Sequence, residues 1–81
     1  MSMERLKFKG RREEIRLEIE RLKLRLAMYR DELRDQLDPT VPVEKLSEQK
    51  VFTLATEFAG AFGKLRLLLD EMAAIRDLLE V

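Results

Sequence analysis

The sequence predicts an all-α fold: two long helices in an antiparallel coiled-coil hairpin, with the hairpins self-associating into a helical bundle. Ala, Glu, Lys, Leu and Arg supply 48 of the 81 residues, and a share near half already signals long helices or coiled coils. With three Gly, two Pro, three Thr, four Val and three Ile, turn-forming and β-branched residues are too few for an all-β domain. Both prolines fall in one stretch near the midpoint, Asp38, Pro39, Thr40, Val41, Pro42, Val43 and Glu44. A chain this short makes one domain, so 1–81 is read as a single hairpin.

The first helix is expected over about residues 4–37, because a proline turns the residue before it away from helical geometry. Ile15, Leu17, Ile19 and then Leu22, Leu24, Leu26 alternate with charged residues as a half-buried strand would. Helix is nevertheless the better assignment. The alternation slips phase between Ile19 and Leu22, no turn dipeptide divides the halves, and the intervening Arg, Glu and Lys favour helix. At heptad spacing Phe8, Ile15, Ile19, Leu22, Leu26, Tyr29 and Leu33 form a seam, interrupted at Arg12, while Gly10 weakens the start.

A loop over about residues 38–42 follows, and the second helix is expected over about 43–80. Its seam is cleaner: Val51, Leu54, Phe58, Ala61, Leu65, Leu68, Met72, Ile75 and Leu79, alternately three and four apart with no polar interruption.

Charges specify how the helices pair. Folding at Thr40 brings Ile19 to Ala61 and Leu22 to Phe58, and sets Glu32 beside Lys50, Arg25 beside Glu57, Glu18 beside Lys64 and Arg11 beside Glu71. All four pairs are of opposite sign. On the other flank Arg30 matches Glu48. Exposed pairs contribute only about 0.2–1 kcal/mol each, so they set register and orientation rather than most of the stability. Residues 1–12 carry five bases and one acid, and residues 70–81 four acids and one base, so an antiparallel hairpin lays opposite charges together.

Two helices bury only one stripe of each other, and the second helix has a further apolar stripe: Phe52, Ala55, Ala59, Phe62 and Leu69. Arg16 and Lys23 can lay their stems over part of it but cannot cover two phenylalanines. These five residues are the expected oligomer interface, a homodimer is the expected assembly, and another helical protein is the rival partner. Gly60 and Gly63, beside Ala59 and Ala61, suit close backbone approach. Leu17, Leu24 and Met28 lie on the outer face of the first helix, a second candidate partner surface.

Composition removes much chemistry. With no Cys and no His, the chain holds no disulfide, thiol nucleophile, zinc finger or Ser-His-Asp triad. Glu32 and Asp35 resemble half of the metal-binding pattern in MazG-type nucleotide pyrophosphatases, which pair Glu-x-x-Glu with Glu-x-x-Asp around magnesium. No Glu-x-x-Glu occurs here, so neither an enzyme nor a cofactor is expected. Arg5, Lys7, Lys9, Arg11 and Arg12 form the alternative site, a nucleic-acid contact by analogy with the RNA-binding dimeric hairpin of the Rop regulator. A formal net charge of zero and the interleaved Glu13, Glu14, Glu18 and Glu20 argue against it. Asp38, Pro39, Thr40, Val41 and Pro42 resemble the turn of type III secretion needle subunits, also helical hairpins. No membrane span or signal peptide is read in the chain, and the expectation is a cytoplasmic scaffold, adaptor or assembly subunit.

Overall fold

The computed structural model describes residues 3–80; Met1, Ser2 and Val81 of the expected 1–81 unit lie outside the described residues. Helix α1 spans Met3–Gln36, a short 3-10 turn spans Val43–Lys45, and helix α2 spans Glu48–Glu80. The two helices pack against each other as an all-α hairpin, a rod of 62 × 16 × 14 Å. Its radius of gyration of 18.3 Å compares with about 12 Å for a compact domain of this length.

The seam read from the sequence is the inside of the rod. Ile15, Ile19, Leu22 and Leu26 of α1 and Leu65, Leu68, Ile75 and Leu79 of α2 form one buried cluster, with Phe58, Ala61 and Met72 packed against it. Leu17 and Leu24, whose presence made the first half look strand-like, point away from this cluster and are exposed. The interior is entirely apolar: among the described residues no polar or charged side chain is buried. Helix α1 runs through Gly10 without interruption, and a side-chain carbon built there would meet open space.

The connection departs from expectation at one end. Helix α1 closes near Gln36, with the Leu37 amide donating to the Leu33 carbonyl at 2.9 Å. The Asp38 carboxylate then accepts from the Thr40 amide at 2.8 Å and the Thr40 hydroxyl at 2.7 Å, an Asx turn that also holds its pKa below the ordinary value. Helix α2, however, begins at Glu48 rather than at 43. Val43–Lys45 makes only a 3-10 turn, and Leu46 turns extended at φ −70°, ψ 147°. Ser47 is the true cap: its carbonyl accepts from the Val51 amide at 3.0 Å and its hydroxyl from the Lys50 amide at 3.3 Å. A capping serine five residues past Pro42 thus outweighs the proline as the start signal.

That shift moves the centre of the hairpin. The midpoint between Gln36 and Glu48 is Pro42, two positions beyond the expected apex at Thr40. A contact between the helices agrees: Arg5 donates to the Leu79 carbonyl at 3.1 Å, a pair centred on Pro42.

Candidate interaction surface

Of the four expected charge pairs along one flank, one closes. Arg11 meets Glu71 through two parallel bonds, Nε to Oε1 at 2.9 Å and Nη2 to Oε2 at 3.1 Å, the fork geometry that suits guanidinium and carboxylate. Arg11 also reaches Glu14 at 3.3 Å. The other three are corrected by the displaced centre. Lys64 shares a groove with Glu18 and Arg25 without forming an ion pair, and Glu57, near the Tyr29 phenol, raises the pKa of that phenol. Glu32 and Lys50 line a common cleft near the loop without forming an ion pair. Arg30 pairs with its neighbour Asp31 at 3.3 Å rather than with Glu48.

The Arg11 guanidinium holds the Glu71 carboxyl below its ordinary value of 4.5. A carboxyl with a lowered folded-state pKa contributes stability that is full above its unfolded value and is lost as pH falls through the folded one. Glu71→Gln is therefore expected to flatten the fall in melting temperature between about pH 6 and about pH 3. An unchanged acid limb in that variant would mean that the pair does not hold in solution.

The basic cluster is partly engaged within the chain. Arg5 and Arg11 reach across to α2, and Arg12 is half-buried at the seam position that interrupts the apolar row. Lys7 is exposed and Lys9 half-buried. Glu32 and Asp35 join no cluster: among the described residues no group of three or more carboxylates converges on a point that could hold a metal ion. The cleft near the loop is open and lined by Glu32, Gln36, Ser47, Gln49, Lys50, Thr53 and Leu54, with no buried polar atom aimed into it.

The apolar stripe of α2 is uncovered. Phe52 is 71% exposed, Leu69 45% and Phe62 37%, and Ala55 and Ala59 are exposed between them. Phe62 leans on Phe58 with ring centres 5.9 Å apart, and the Arg66 guanidinium lies 5.0 Å over its ring. Arg16 turns to Glu13 at 3.1 Å, so this guanidinium is held on its own helix. Side-chain carbons built on Gly60 and Gly63 meet open space; nothing within the chain uses their small size.

The sequence pattern conceals a further property of this region. From Val51 to Gly63 the only charged residue is Glu57, in a chain that is 40% charged. The Thr56 hydroxyl donates back to the Phe52 carbonyl at 2.8 Å, so this polar group is already occupied. Apart from Glu57, the exposed positions of this segment carry only Phe, Ala, Thr and Gly. Leu17, Leu24 and Met28 on α1 are exposed too, but among charged neighbours on every side.

No family model, curated protein or solved structure matches the chain. Among the described residues, no helix is long and apolar enough to cross a membrane.

Proposed function

We propose that the chain is a non-catalytic hairpin that self-associates through α2 and serves as a scaffold, adaptor or assembly subunit. The segment from Val51 to Gly63, with Glu57 its only charge and Phe52 and Phe62 exposed on its outer face, carries this reading. Surface area supports it. A compact monomer of 9.6 kDa exposes about 5,100 Å², whereas this rod exposes 6569 Å². The excess of about 1,500 Å² is more than the roughly 800 Å² per partner that a standard interface covers.

Sedimentation equilibrium at micromolar concentration tests the reading. The expected result is a species heavier than the 9.6 kDa chain. A folded monomer would assign the apolar stripe to a different protein and leave the adaptor role alone standing. The analogy with RNA-binding hairpins has less support, since two of its five candidate cations, Arg5 and Arg11, are engaged by α2.

A further inference from the structure

The outward row of α2 is self-complementary. Glu48, Phe52, Ala55, Ala59, Phe62 and Arg66 follow one another at spacings of four, three, four, three and four. All six are exposed, and the row reads symmetrically about Glu57. Reversed onto itself, it sets Phe52 against Phe62, Ala55 against Ala59 and the acid Glu48 against the base Arg66. An interface about a two-fold axis needs a patch of this kind, complementary to itself in the opposite direction.

Resting on the self-association reading, we infer that α2 packs antiparallel against α2 of a second copy about a two-fold axis at Glu57. Phe52 then meets the partner's Phe62, Ala55 the partner's Ala59, and Glu48 the partner's Arg66. The two alanines at the centre allow the backbones to approach closely, the phenylalanines fill the flanks, and the charges close both ends of a contact about 27 Å long.

Two features beyond the row fit this arrangement. At 3.6 residues per turn, the midline of the row lies about 100° around α2 from the midline of its internal seam. A helix in a four-helix bundle faces two neighbours at close to that angle. Burial along the seam is also uneven. Leu65, Leu68, Ile75 and Leu79 are buried, with Met72 half-buried among them, whereas Val51, Leu54, Phe58 and Ala61, nearer the loop, are all only half-buried, as are Tyr29 and Leu33 opposite. The incompletely covered half of the core coincides with the span from Glu48 to Arg66. The second copy covers the loop-proximal half of each hairpin, and the distal halves extend from the bundle as two-helix arms.

The chain has no cysteine, so introduced thiols report pairing directly. Chains carrying Ala55→Cys are mixed with chains carrying Ala59→Cys, refolded together and oxidised gently. The expected product is a disulfide joining one chain of each kind, because Ala55 and the partner's Ala59 stand level, whereas equal positions are offset by four residues, about 6 Å along the pair, which with the gap between the helices reaches the roughly 7 Å limit of a disulfide. Disulfides between like chains, or none in a preparation that sediments as an oligomer, would overturn this pairing while leaving self-association intact. A wild type that sediments as a monomer would overturn both. Charge exchange gives a second measurement: Glu48→Arg is expected to weaken association about ten-fold, since the pair occurs twice per dimer. Adding Arg66→Glu should return affinity toward the wild-type value. A double variant no tighter than Glu48→Arg alone would count against the antiparallel register.

Discussion

Replacing both Phe62 and Leu69 by Glu is expected to convert the protein to a folded monomer. Within one hairpin these side chains are 37% and 45% exposed, so their carboxylates stay in water and helix content survives. In the proposed dimer the carboxylate at 62 would enter an apolar contact with the partner's Phe52, while position 69 lies just beyond Arg66; a carboxylate buried without a partner costs several kcal/mol or takes up a proton. Two such groups per dimer make a loss of about 4 kcal/mol a low estimate, which is about a thousand-fold in dissociation constant. Circular dichroism and sedimentation on the same sample separate the outcomes. Unchanged helix content with loss of the oligomer supports the interface on α2. Retention of the wild-type oligomer would remove α2 from the contact and turn attention to Leu17, Leu24 and Met28, where Leu17→Glu with Leu24→Glu is the matching experiment. If α2 is the interface, that α1 variant is expected to sediment as wild type does.

The seam of this hairpin was legible because it depends on period alone. Ile15, Ile19, Leu22 and Leu26 fall on one face at heptad spacing whatever the loop does, and the structure buries these four. Register was legible only in part, because it depends on where α2 starts. Pro42 is an obvious stop in the sequence, but the start is set by a hydrogen bond from the Lys50 amide to the Ser47 hydroxyl, which competes with the proline rule at a nearby position. With the centre moved from Thr40 to Pro42, Arg11 alone among the four expected pairs closes its ion pair. The stripe from Phe52 to Leu69 could be read as apolar, but its uncovered state required the fold. Only the placement of α1 shows that the lysine and arginine stems leave Phe52 and Phe62 in solvent.

Ile15→Ala is expected to destabilise the hairpin most among single truncations in the seam. Among the described residues Ile15 is the one large side chain that is fully buried, at 0% exposure, and it sits in the apolar cluster with Ile19, Leu68 and Ile75. Removing a buried isoleucine to Cβ costs about 2–5 kcal/mol through lost transfer energy and the cavity left behind. A domain of this length has a total of only about 4–12 kcal/mol, and an elongated two-helix unit belongs toward the low end of that range. The variant should therefore melt many degrees below wild type, and at low protein concentration it should be largely unfolded. Leu24→Ala provides the contrast: at 69% exposure on the outer face of α1 it should shift stability by no more than about 0.5 kcal/mol. The distal location of Ile15 sharpens the test, because in the proposed dimer the second copy covers the loop-proximal half and cannot shield the cavity. Raising protein concentration should thus stabilise wild type and Ile15→Ala by the same increment, since association favours the folded chain by mass action in both. An increment much larger in the variant would place the partner against the distal half, and the two-helix arms would have to be redrawn as part of the bundle.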